Sequence, residues 1–158
     1  YNATGNLSQA AIAFENVVRL APKNANAWAE LADLTIALNP SDLLKAGEIA
    51  EKALAVDPWH QKGLMIGAAA AFERGDYAHA AVLFDRLRKQ IPAGNEVHDA
   101  LTQQIEMTLA AGGLKAIPKD DVGEKPETDL EKMMKLGGGM QQAPERGQDG
   151  VGLNPLKR

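Results

Sequence analysis

Between Gln61 and Pro92 the chain reads QKGLMIGAAAAFERGDYAHAAVLFDRLRKQIP, with apolar residues at helical spacing on either side of a break. Leu64, Gly67, Ala68 and Ala71 fall on one face of a first helix, and Tyr77, Ala80, Phe84 and Leu87 on one face of a second. Gly75-Asp76 separates the two and Pro92 closes the pair. Small residues at Ala68 and Ala80 predict a close approach of the two backbones, with Phe84 filling space against a neighbouring pair. A helix–turn–helix of this kind cannot bury its apolar stripe alone. The pattern therefore predicts an all-α stacked array whose working surface is made by stacking, not by a catalytic cleft.

The same pattern recurs along the chain. Residues 5–22 align with the second helix of the pair: Gly5 with Gly75, Leu7 with Tyr77, Ala10 with Ala80, Phe14 with Phe84 and Pro22 with Pro92. Ser8 is the expected N-cap of this helix. Trp28, Leu31, Ala32 and Thr35 occupy the first-helix positions of the next pair, and Leu43, Ala46, Ala50 and Ala53 line its second helix. The turn Asn39-Pro40-Ser41-Asp42 lies between them, with Ser41 or Asp42 expected to cap that second helix. A last helix holds His98, Leu101 and Ile105 at helical spacing, with Asn95 as its cap and Gly112-Gly113 as its stop. The expected order is one half-repeat, two full repeats and a closing helix over residues 1–113. Because the chain opens partway into a repeat at Tyr1, it reads as a piece of a longer protein.

Composition changes the picture after Gly113. Residues 114–158 hold 8 basic and 8 acidic residues with seven glycines and four prolines, a linker-like mixture. One island interrupts it. Thr128-Asp129-Leu130-Glu131 has the capping-box pattern, and Leu130, Met133 and Met134 share a face, predicting a short helix over 128–136. The acidic carboxylates of this tail, Asp120-Asp121 among them, are expected to lie where nothing tunes them.

Net charge is −4, and no basic stripe marks a nucleic-acid surface. Aromatic residues make up 4% of the chain against 45% hydrophobic, which favours closely packed helices over a β-sandwich. Cysteine is absent, which removes disulfides, thiolate metal sites and a cysteine nucleophile. No apolar run approaches the ~20 residues that span a bilayer.

Residues 5–111 resemble the tetratricopeptide repeat. The signature positions are Trp28, Leu31, Ala32, Ala46, Ala53 and Pro58 in one copy, and Gly75, Tyr77, Ala80, Phe84 and Pro92 in the next. Leu64 and His98 depart from it where the repeat prefers Trp, and Ala50 where it prefers a large aromatic. More narrowly, three features resemble the tetratricopeptide domain of bacterial cytochrome c maturation proteins of the CcmI/NrfG type. They are the AL-x-x-DP run at Ala53–Pro58 with the apolar helix GLMIGAAAAF after it, the GDYAHAAVLFDRL segment leading to Ile91-Pro92, and a single closing helix. The resemblance implies a periplasmic, non-catalytic module without a cofactor of its own. It would hold the C-terminal helix of apocytochrome c for the haem-attachment machinery, with any membrane anchor lying upstream of Tyr1. A general protein-interaction scaffold is the alternative, and a regulatory array attached to a catalytic domain a further one.

By repeat position, the concave face should present Asn26, Ala29, Asp33 and Ile36, then Lys62, Met65, Ala69 and Phe72, then Glu96, Asp99, Gln103 and Glu106. An apolar centre with a polar rim suits an amphipathic helix laid in a groove, and Met65 offers a pliable contact. The plainer reading makes Met65, Ile66 and Phe72 core residues, since this helix is apolar nearly all round. Only Lys62 is basic, so a clamp for a terminal carboxylate is not expected. The histidines His60, His79 and His98 have no metal-ligand spacing; His60 belongs to a turn, His79 should face solvent and His98 replaces a core aromatic.

Overall fold

The structure is a computed structural model that describes residues 3–123, 125, 127 and 129–136. Up to Ala111, six α-helices succeed one another: α1 (Ala3–Leu20), α2 (Ala25–Leu38), α3 (Leu43–Val56), α4 (Gln61–Glu73), α5 (Tyr77–Arg88) and α6 (Glu96–Ala111). A 3₁₀ turn, Pro40–Asp42, joins α2 to α3. Each helix packs on the next, α2 also lies against α4, and no strand occurs among the described residues.

Short polar side chains cap three of the six α-helices. Asn24 accepts from the Ala27 amide at 3.0 Å, Asp76 from His79 at 3.3 Å and Asn95 from Val97 at 2.8 Å, each satisfying an amide that the helix leaves without a partner. His60 does the same for α4, its Nδ1 accepting from the Gly63 amide at 3.1 Å. Gly75, at φ +84°, makes the left-handed step between α4 and α5 that other residues avoid. Two expected caps are corrected. Ser8 lies inside α1, because the helix runs on unbroken to Ala3 and the backbone does not turn at Gly5. In the longer turn, Asn39 caps the 3₁₀ segment by accepting from Ser41, while Asp42 stands at the N-cap of α3 without a side-chain bond.

The core runs along the stack. Ala11, Val18, Ala27 and Leu31 join α1 to α2; Ala32, Ala46, Ala50 and Ile66 join α2, α3 and α4. Leu54, Leu64, Ala68, Ala71, Ala80, Leu83, Phe84, Leu87, Leu101 and Ile105 fill the space from α3 to α6. Much of this core is alanine with no exposed surface, so affinity between helices comes from close backbone approach over many small contacts. The tightest point is Gly47, where an added Cβ would lie 2.2 Å from the Ala70 Cβ.

The first compact unit runs through Val122. Ile117 packs against the main core, and Asp120 meets Arg86 of α5 in a two-pronged pair, Nε to Oδ2 and Nη2 to Oδ1, each 2.9 Å. Only 8% of the Arg86 side chain and 14% of the Asp120 side chain face solvent. The expectation that nothing tunes Asp120 is therefore corrected: hydrogen bonding from Arg86 holds its carboxyl below the ordinary value, against the opposing effect of burial. Arg86 also donates to the Pro58 carbonyl at 3.0 Å and stacks over Trp59, its charge 6.0 Å from the ring centroid. The second unit begins at Gly123; within it residues 129–136 are helical, with Leu130, Met133, Met134 and Leu136 exposed and Lys135 paired with Glu127. Thr128, the expected cap of this helix, lies outside the described residues.

These contacts carry two expectations for stability. Gly47→Ala gains about 1 kcal/mol of helix propensity but drives two backbone-anchored carbons together, so urea unfolding should show a net loss of about 1–2 kcal/mol. Equal or higher stability would mean that α3 and α4 separate at no cost. The Asp120 pair strengthens the fold above the pKa of the unfolded carboxyl and loses that contribution as pH falls through the lower folded value. Unfolding midpoints measured from pH 6 downwards should therefore drop below about pH 4 more steeply for the native chain than for Asp120→Asn. Parallel curves would exclude the pair as a source of acid sensitivity.

Candidate functional site

Helices α2 and α4, the first helices of the two pairs, and the closing helix α6 carry the expected binding positions. Between α4 and α6 the structure opens an apolar recess of about 330 Å³, lined by Gln61, Lys62, Met65, Leu87, Ile91, Val97 and Leu101. Met65 on α4 is 56% exposed and Val97 on α6 is 50% exposed, so two large apolar side chains stand in water at this recess. Leu101 forms part of its lining and Leu87, at the end of α5, is buried below.

Lys62 stands at the edge. Its ammonium donates to Glu30 Oε1 at 2.7 Å and lies 3.4 Å from Asp33 Oδ2, tying α4 to α2. The hydrogen bond to Glu30 raises its pKa first, burial opposes it, and the charges of Glu30 and Asp33 add to the rise. The only lysine of the three helices is thus already neutralised by two carboxylates.

The other expected residues divide. Asn26 is exposed, and its side-chain oxygen lies 2.6 Å from His60 Nε2. Ala29 has no exposed surface and cannot touch a ligand; in the face it is floor, because α4 packs beside α2. Ile36 is half-buried against Ala32, Ala46, Ala50 and Ile66, and Phe72 is half-buried against the main core with its ring edge-on to Tyr77 at 5.2 Å. Ala69 is half-buried. Glu96, Asp99, Gln103 and Glu106 are exposed along α6. The recess therefore brings together Lys62 and Met65 from the expected set. It adds Gln61, Leu87, Ile91, Val97 and Leu101, which repeat position did not mark.

The histidines have other roles. His79 does not simply face solvent: its Nε2 lies 2.7 Å from Glu51 Oε1, and that hydrogen bond raises its pKa against burial. His98 is half-buried, with Nδ1 sealed from solvent and 3.8 Å from Asp99 Oδ1. Among the described residues no group of three or more His, Asp or Glu side chains could hold a metal ion. No helix among them is long and apolar enough to cross a membrane.

The fold and this face define an all-helical array of consecutively packed helices with an open apolar recess between α4 and α6. Compared with known proteins, the chain matches no family model, no curated protein and no solved structure.

Because Met65 and Val97 contribute little to the core, Met65→Glu and Val97→Glu should each change unfolding free energy by no more than about 0.5 kcal/mol. A loss of several kcal/mol in urea unfolding would show that the recess is closed in solution.

Proposed function

We propose that this chain is a non-catalytic, polypeptide-binding module of the tetratricopeptide type, and that it holds one helix of a client protein. The observation that carries the reading is the open apolar recess with Met65 and Val97 exposed at it. What sets these two side chains apart from other exposed apolar residues is that both stand at an open apolar recess, where a helix laid in a groove would seat its apolar side chains. Affinity in such an interface concentrates in one or two anchors seated in a pocket.

The C-terminal helix of a c-type apocytochrome is the proposed client, and the haem-attachment machinery of the periplasm the proposed setting. This assignment rests on the residues at Ala53–Pro58, Gly63–Phe72 and Gly75–Leu87 that resemble cytochrome c maturation proteins. The module takes no cofactor in this reading; haem comes from partner proteins.

The test is a fluorescence titration with a labelled peptide from the C-terminal helix of a c-type apocytochrome, beside a scrambled control. Saturable binding by the native peptide alone is expected, weakened about tenfold or more by Met65→Glu, which corresponds to about 1.4 kcal/mol. A well-folded chain that binds neither peptide would move the reading to a general interaction scaffold with another client.

A further inference from the structure

The charges of alternate helices are not distributed alike. Helices α2, α4 and α6 carry Glu30, Asp33, Glu73, Glu96, Asp99 and Glu106 against a single lysine and no arginine. Helices α1, α3 and α5 carry both signs in similar number, including Arg19, Lys45, Lys52, Arg86 and Arg88. The acidic excess thus belongs to α4 and α6, which line the recess, and to α2, which packs against α4. The cations that follow the lining residue Leu87 in sequence, Arg88 and Lys89, are both paired with Asp85, and Arg88 also donates to Thr102. Lys62, which would offset the acidic excess, is engaged by Glu30 and Asp33 at 2.7 and 3.4 Å. On the other side Glu96 adjoins the exposed Val97 in the first turn of α6.

We infer that the occupant of this recess is a cationic amphipathic helix, with one apolar side chain seated between Met65, Leu87, Val97 and Leu101 and with lysines or arginines flanking it toward Asp33 and Glu96. This rests on the polypeptide-binding reading and adds the chemistry of the partner. The apolar anchor supplies affinity, since the recess of about 330 Å³ has room for a leucine, isoleucine or phenylalanine side chain. The flanking charges supply orientation and speed the encounter, because a surface of one sign steers a partner of the other. An acidic helix of the same apolar pattern meets like charge on both sides of the anchor. A free terminal carboxylate finds the lysine already occupied.

The experiment uses the full chain and two labelled synthetic helices with identical apolar faces, one flanked by lysine and one by glutamate. Anisotropy titrations are run at low salt and at about 0.5 M salt, where the screening length falls to a few ångströms. The lysine helix should bind at least tenfold more tightly at low salt, and the difference should shrink at high salt. Asp33→Lys with Glu96→Lys should weaken the lysine helix and strengthen the glutamate helix, while Met65→Glu weakens the glutamate helix further. Circular dichroism confirms that the variants remain helical. Equal binding of both helices, abolished for both by blocking the recess with Val97→Trp, overturns the charge inference and leaves the polypeptide-binding reading standing. Tighter binding of the glutamate helix overturns the inference outright. Failure of both helices to bind overturns the inference and counts against the groove as a peptide site.

Discussion

At Gly47 the backbone of α3 comes so near α4 that one added carbon would overlap Ala70. That separation is the constraint on which the rest of the array depends. Alanines at 46, 50 and 53 of α3 and at 68, 70 and 71 of α4 are all without exposed surface. A core of this type holds little aromatic area, so its stability depends on many short contacts kept in register. A side chain one methyl group larger cannot be absorbed by a rotamer change when both sides of the contact are backbone-anchored. Helix α2 also lies against α4, and that contact decides which of their residues remain reachable: Ala29 becomes floor, while Met65 stays in water.

The helices were legible because their signals are local. Apolar spacing marked the buried faces, and Leu31, Leu64, Ala68, Ala80 and Ile105 are buried as that spacing requires. Gly75, Asn95 and Gly112 acted where their chemistry placed them. Ser8 misled because a cap exists only where the backbone turns, and nothing in the residues 5–8 themselves forces a turn. The recess was half legible. Repeat position gives the direction of a side chain but not the size of the group opposite, so Lys62 and Met65 were marked and Val97, Leu87 and Ile91 were not. Arg86 and Asp120 stand 34 residues apart, and no periodicity announces a pair at that separation. Trp59 carries no local signal for the same reason, since its partners Arg86 and Gln90 lie about 30 residues further along the chain.

That long-range cluster bears on the site. Arg86 donates to the Pro58 carbonyl and Gln90 to the Trp59 carbonyl, at 3.0 and 2.9 Å, so the turn before α4 is held from α5 at two successive residues. His60 comes directly after and caps α4. Gln61 and Lys62 therefore begin at a fixed place, and Ile91, just beyond Gln90, completes the same wall of the recess. Asp120 fastens Arg86 from the far side and orients its guanidinium with two parallel bonds, which a lysine could not reproduce. The segment after α6 thus acts on the recess without touching it: it fixes the arginine that fixes the turn that starts α4.

Lys62 decides the polarity of the face. A lone ammonium at the edge of an apolar recess would attract anions, and a peptide carboxylate would be the natural guest. Two carboxylates from α2 convert that edge from an anion site into a neutral to acidic border. The pair costs little to maintain, because all three groups keep contact with water and none bears the full desolvation of a buried charge. It also contributes little to stability for the same reason, so on the polypeptide-binding reading its consequence is felt in which partner is admitted. Specificity of this kind works by exclusion as much as by attraction. In the proposed complex the apolar recess takes a side chain of suitable size, and the carboxylates around it discriminate between the helices that deliver one.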